Sequence, residues 1–277
     1  MIGSLLIHEM ALRKRARVAI GCDIASHTSP LLLNSLLFAT KEKYVDPLLV
    51  VNRLPSSRED PEGVVGAVVP AIVDDSPWEA LVSLLEEGVV DSAVRGNLSS
   101  RQVVTLLKKR FGCRNLCRSS LLEIDGRLVL LAPVGIDEGD TQEDLLTAVE
   151  NCGRFAGKLG MELKVAVLSG GRIEDRGRSS KVDAMLSEAD QLVSYLLSKG
   201  VIAVNLGVEI ERAIDEGFTL ILAPDGIFGN LIFRSLVLVG KVQSYGAYAT
   251  ALPKVFVDTS RSKTSYLLPL ILASALS

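Results

Sequence analysis

Short, wholly apolar runs alternate with segments of helical period along most of the chain. "RVAIG" (17–21), "PLLVV" (47–51), "VDSAV" (90–94), "RLVLLA" (127–132), "LKVAVLS" (163–169), "VIAVN" (201–205) and "TLILA" (219–223) each stop at Gly, Pro, Asn, Asp or Ser within a few residues. Such runs predict strands. Between them, Val182, Met185, Leu186, Ala189, Leu192, Val193 and Leu196 form an i, i+3, i+4, i+7 stripe with Glu188, Asp190, Gln191 and Lys199 off it. That spacing predicts an amphipathic helix. Trp78, Leu81, Val82 and Leu85 form a shorter one. Strands apolar on both faces, alternating with amphipathic helices, imply α/β architecture with mostly parallel sheets covered by helices.

Near the end of the sequence the pattern breaks sharply. "VFV" (255–257) gives way to the polar "DTSRSKTS" (258–265), and an apolar stretch resumes at Tyr266. This reads as a strand, a turn and a helix beginning near Ser262. The helix is apolar nearly all round and so must be buried.

In such folds ligands meet loops at the carboxyl ends of strands. Four loops qualify: "GCDIASHTSP", "RGNLSSR", "SGGRIEDRGRSSK" and "DTSRSKTS". The third is not a Walker motif, because five residues separate Gly171 from Gly177 and Arg178 stands where the lysine belongs. Gly170, Gly171 and Arg172 remain as candidate anion contacts, against the alternative that the loop's arginines pair with Glu174 and Asp175. In "RGNLSSR", Arg95 and Arg101 are possible anion contacts, and Ser99 or Ser100 can cap the following helix. His27, just before Pro30, fits a helix start. In "DTSRSKTS", Ser260 as hydroxyl ligand, Arg261 as main cation and Lys263 as support form a candidate cradle, using amide groups left unbonded at a helix start.

Composition narrows the picture. The chain has 277 residues, 48% hydrophobic, with a net charge of −3, two histidines and one tryptophan. The charge gives no general attraction to nucleic acid, so any anion site is local. Cys22, Cys113, Cys117 and Cys152 suggest no bridge framework, and the start of the sequence does not read as a signal peptide. A cytoplasmic protein with free thiols is expected. The apolar tail contains Pro269 and is too short to cross a bilayer, so no membrane insertion is expected. The acidic candidates Asp225 and Asp258 look isolated, which argues against a metal site.

The stretch "PDGIFGNLIFRSLVLVGKVQSYGAYATALPKVFVDTSRS" resembles the phosphate acetyltransferase and butyryltransferase superfamily. Gly229, Asn230, Tyr245, Gly246, Ser260 and Arg261 fall on that family's Gly-Asn pair opening a helix, its Tyr-Gly and its Ser-Arg after the last strand. More narrowly, "RGNLSSR", "SGGR" and "SRSK" resemble the methanogenesis marker protein 4 family, MtxX, whose members are named as methyltransferase subunits. The broad resemblance implies a two-domain α/β fold of the isocitrate and isopropylmalate dehydrogenase kind. It implies a discontinuous first domain (1–117 plus 253–277), a second domain (118–252), a small anionic substrate in an interdomain cleft with Gly229 and Asn230 among its contacts, and a homodimer. The narrow one implies methyl transfer between tetrahydromethanopterin and coenzyme M, and association with a methyltransferase complex. No cofactor is evident from the residues; coenzyme A or a methanogenic methyl carrier is what the resemblances imply. The catalytic residues are not identified. In phosphotransacetylases an aspartate thought to deprotonate coenzyme A falls where this chain has Leu267, and a substrate-binding arginine falls at Leu238. Acyl-phosphate exchange is therefore the alternative reading, along with a non-catalytic ligand-binding regulator.

Overall fold

A computed structural model of the chain describes every residue except 1, 61, 62, 64 and 262–264, and at residues 2 and 3 the backbone only. The chain divides into two compact units, one of Met1–Leu116 with Ser244–Ser277 and the other of Cys117–Gln243.

The first unit is built on strands β1 (Arg17–Cys22), β2 (Asp46–Val51), β3 (Ala71–Val73) and β4 (Ser92–Val94), joined late in the chain by β10 (Gln243–Ala249) and β11 (Val255–Asp258). Their order is β3-β2-β1-β4-β11-β10, and all neighbours are parallel except β10 against β11. In β1 and β2 every residue after the first is buried, as strands covered on both faces require. Helices α3 (Pro77–Glu86) and α4 (Ser100–Phe111) cover one core with Leu81, Leu85, Val103 and Leu107 against Ala19, Val50 and Phe256. Helix α9 (Leu267–Leu276) packs against α1 (Ile2–Lys14) and α2 (Ser29–Lys41). All of Pro269 to Leu276 is buried, so the apolar-all-round pattern does mark an interior helix.

The second unit carries β5 (Arg118–Ile124), β6 (Arg127–Ala132), β7 (Lys164–Leu168), β8 (Ile202–Gly207) and β9 (Leu220–Leu222) in the order β5-β6-β9-β7-β8. Only the β5–β6 hairpin is antiparallel. Helices α5 (Gln142–Lys158), α6 (Ser180–Ser198), α7 (Ile210–Asp215) and α8 (Gly226–Phe233) complete it, with a π-helical stretch over Arg234–Val239. Thr141 and Asp144 make a reciprocal capping box at the start of α5, and Asp225 caps α8 by accepting from the amides of Ile227 and Phe228.

Three strands escape the apolar-run reading, namely β3, β5 and β10. The polar "RSS" (118–120) is the start of β5, and Arg118, Ser119 and Ser120 are all buried there.

Candidate functional site

Three of the four polar loops belong to the first unit and meet at the carboxyl ends of its parallel strands. The chain leaves β1 through α2 toward β2, whereas β4, on the other side of β1, hands it to α4, which packs with α3. Neighbouring strands whose connections diverge leave a crevice at their carboxyl ends. Here the loops at that crevice are hydrogen-bonded to one another. The Asn97 side chain accepts from the Asp23 amide at 2.6 Å and donates to the Asp23 carbonyl at 3.1 Å. Asn52 likewise accepts from the Ile24 amide and donates to the Asp23 carboxylate, each at 3.1 Å. Cys22 sits beneath, its thiol pushed up to about 12 by burial, which leaves it an inert thiol rather than a nucleophile.

The loop after β11 is tied to this network. Arg95 donates through Nε to Asp258 and through Nη1 to the Leu98 carbonyl, and Thr259 Oγ1 donates to the Gly96 carbonyl at 2.6 Å. Arg95 and Asp258 are 4% and 8% exposed, so this is an ion pair out of water. One expectation is thereby corrected: Arg95 is not an available anion contact, because Asp258 neutralises it.

The turn that follows differs from its expected form. Helix α9 begins at Leu267 behind Tyr266, not near Ser262, so Ser260 and Arg261 do not lie in its first turn. Lys263 lies outside the described residues. The Tyr266 amide donates to Ser35 Oγ at 3.0 Å, and burial raises the pKa of its phenol above the ordinary range. Protein hydroxyls thus serve two amides at this helix start, the Leu267 amide donating to Ser265 Oγ at 3.3 Å. Arg261 is exposed and has no hydrogen-bond or ion-pair partner among the described residues; Ser260 is half-buried.

In the second unit the diverging neighbours are β7, which sends the chain through α6 to β8, and β9, which is followed by α8, packed on β6. Their carboxyl ends are not filled. A cavity of about 320 Å³ lies there, with Leu168 and Leu222 from the strands, Leu145 from α5 and Leu192 from α6 among its walls. A second, of about 370 Å³, is lined by Gly170, Lys181, Val208 and Phe228. Leu168, Ser169, Met185 and Pro224 line both. Each volume lies within the range of small-ligand sites.

The remaining sequence candidates divide around these cavities. Gly170 lines the second, and a Cβ there would press on the flexible Met185 thioether. Gly171 carries the loop past Gly207, and Arg172 stands 3.9 Å from Glu209. Of the other loop arginines, Arg178 pairs with Asp175 and Arg176 with Asp190 rather than with Glu174. The Gly229–Asn230 pair lies within α8 rather than opening it, since Asp225 provides the cap. Asn230 Nδ2 donates to the Val134 carbonyl at 3.2 Å, and a methyl on Gly229 would overlap the Pro133 carbonyl. Both therefore hold the loop after β6 against α8. Overpacking of this kind typically costs about 1–3 kcal/mol. Gly229→Ala is expected to lower unfolding stability by that amount, and equal denaturation midpoints for variant and parent would refute the packing role.

Among the described residues, no group of three or more His, Cys, Asp or Glu could hold a metal ion, and no helix is long and apolar enough to cross a membrane. The four cysteines form no disulfide.

No family model matches the chain. It is 36% identical over 272 residues to a Methanosarcina mazei protein named "Putative methyltransferase mtx subunit X", covering 98% of this chain and 94% of that one. Among solved structures, a branched-chain phosphotransacylase from Enterococcus faecalis superposes with a TM-score of 0.70 at 17% identity, over 94% of this chain and 98% of that one. Isocitrate dehydrogenase from Methylococcus capsulatus superposes with a TM-score of 0.52 at 9% identity, over 94% of this chain and 83% of that one. At those identities the structural likeness establishes the shared fold.

Proposed function

The chain belongs to the mtx subunit X family, and from that membership we propose that it is a methyl-transfer-related protein that binds a small anionic substrate and does not exchange acyl groups with phosphate. The observation that supports anion binding is the state of Arg261. It stands exposed just past the carboxyl end of β11 with no partner among the described residues, while Arg95, on the neighbouring loop, is buried against Asp258. A planar guanidinium donates two parallel hydrogen bonds to a phosphate or carboxylate, and Ser260 beside it supplies a hydroxyl.

In the phosphotransacetylase resemblance, Leu267 stands where a carboxylate would take the thiol proton. An apolar side chain cannot do so. Acting as one subunit in a methyltransferase complex fits the relatives' name, and coenzyme A or a methyl carrier remains the class of molecule proposed for the anion.

The experiment is a thermal-shift screen against inorganic phosphate, coenzyme A and coenzyme M. A ligand at 100 times its dissociation constant adds about 2.7 kcal/mol of stability. Charged hydrogen bonds contribute about 1.5–3 kcal/mol each. Arg261→Ala is therefore expected to weaken the responding anion roughly 10- to 100-fold in calorimetric titration. Unchanged affinity in a folded variant would overturn the role of this turn.

A further inference from the structure

The first cavity of the second unit, of about 320 Å³, has a lining that suits no anion. No Lys or Arg is among its lining residues, and the carboxylates of Asp140 and Glu188 stand at its rim. Both side chains are exposed, and neither has a hydrogen-bond or ion-pair partner among the described residues. The start of α5 lies at the same rim, but Glu143 and Asp144 in its first turn offset its positive end. Two exposed carboxylates alone would be a solvated edge. The buried hydroxyl of Ser169 is what points to a ligand. Asn205 Nδ2 donates to the Leu186 carbonyl at 3.3 Å and to Asp190 Oδ1 at 2.8 Å, which fixes Asn205 Oδ1 as an acceptor. Ser169, just past β7, therefore spends its proton on that Oδ1, at 3.4 Å. No group among the described residues donates to the Ser169 oxygen in return, although the residue is 5% exposed and lines the cavity. A buried acceptor left without a donor is costly, and a bound donor relieves it.

We propose that this cavity is a separate binding site for a small organic cation with an apolar body and a hydrogen-bond donor at its inner end. The cation, a primary ammonium, sits between Asp140 and Glu188. The apolar body lies among Leu145, Leu168, Leu192 and Leu222. The inner donor reaches the Ser169 oxygen. Each part follows from the lining: ionised carboxylates accept from an ammonium and repel an anion, leucine side chains shelter apolar surface, and a hydroxyl whose proton is committed elsewhere can only accept. The volume lies within the range of small-ligand sites. The site takes the sign of charge opposite to that proposed for the Arg261 turn, and none of its residues belongs to the first unit.

The test is calorimetric titration of the full-length chain at low ionic strength, where exposed carboxylates are least screened. Tyramine carries the cation, the body and the inner donor; phenethylamine lacks the donor, 4-ethylphenol lacks the cation, and 4-hydroxyphenylacetate replaces the cation by an anion. Tyramine is expected to bind about tenfold more tightly than 4-ethylphenol and about fivefold more tightly than phenethylamine, the effects of one charged and one neutral hydrogen bond. The anion should not bind detectably. Asp140→Asn with Glu188→Gln should weaken tyramine and phenethylamine about tenfold and leave 4-ethylphenol unchanged. Ser169→Ala should weaken tyramine and 4-ethylphenol about fivefold and leave phenethylamine unchanged. That crossed pattern separates loss of one contact from damage to the fold, which would weaken all three. Absence of tyramine binding up to millimolar concentration would overturn the proposal, as would affinities that neither variant alters or an anion that binds as tightly as tyramine. Arg261→Ala should leave tyramine binding unchanged, so failure of this site is distinguishable from failure of the anion turn.

Discussion

Mixing the protein with acetyl phosphate and coenzyme A is expected to give acetyl transfer at least about 10²- to 10⁴-fold slower than a phosphotransacetylase run in parallel. That is the range by which loss of general-base assistance slows a proton transfer in the transition state. The position concerned is Leu267, the first residue of α9, whose amide donates to Ser265 Oγ at 3.3 Å but whose side chain offers no proton acceptor. The thiol of coenzyme A must lose its proton before or during attack, and the buried candidates nearby cannot take it. Tyr266 is held neutral by burial, and the Asp258 carboxylate is already engaged by Arg95. Leu238, where the same resemblance implies a substrate-binding arginine, lies in the π-helical stretch after α8. Continuous release of free phosphate and acetyl-coenzyme A at a rate comparable to the control enzyme would overturn the assignment.

The largest expected effect on stability comes from the Arg95–Asp258 pair. Asp258→Ala is expected to lower the unfolding free energy by about 3–5 kcal/mol, because it strands a guanidinium that is 4% exposed. The Thr259 amide also loses its acceptor, Asp258 Oδ1 at 2.9 Å. Replacing both partners by apolar residues, Arg95→Met with Asp258→Leu, should recover much of that loss, since no buried charge then lacks a counterion. Urea denaturation of the two variants and the parent decides it. If the double variant is as unstable as the single, the loss lies in the packing of the loops rather than in the unpaired charge.

These contacts show where the sequence is readable and where it is not. The central strands and the α6 stripe are legible because both faces of a covered sheet, and one face of a helix, exclude water; β1, β2, β7 and α6 follow that rule. Strand β5 breaks it. Arg118 can be buried because Glu138 accepts from its Nε and its amide, both at 2.8 Å, and the carboxylate comes from a different loop. Strand β10, "QSYGAYA", is small and weakly apolar, and Gly246 takes a positive φ of 93° that strand patterns do not announce. In the candidate site, the polar loops were legible as loops, but their commitments were not. Arg95 meets Asp258 across 163 positions, and no local spacing marks such a pair. Met185 belongs to the apolar stripe and yet lines both cavities, since a stripe records avoidance of water without saying whether protein or ligand provides the shelter.

The split of the first unit around the second bears on how the chain is made. Strands β1 to β4 leave the ribosome early, but β11, which pairs with Val94 and its neighbours, and α9, which packs on α1 and α2, are translated only after all of Cys117–Gln243. Throughout that interval the nascent chain carries an unpaired apolar edge at β4 and uncovered faces on α1 and α2. Such surfaces invite strand addition and aggregation. The second unit, continuous in sequence, can close on itself meanwhile. Chains truncated after Gln243 and released should therefore show a protease-resistant second unit beside a first unit that is still cleavable, and the need for chaperone cover during synthesis should fall on the amino-terminal half.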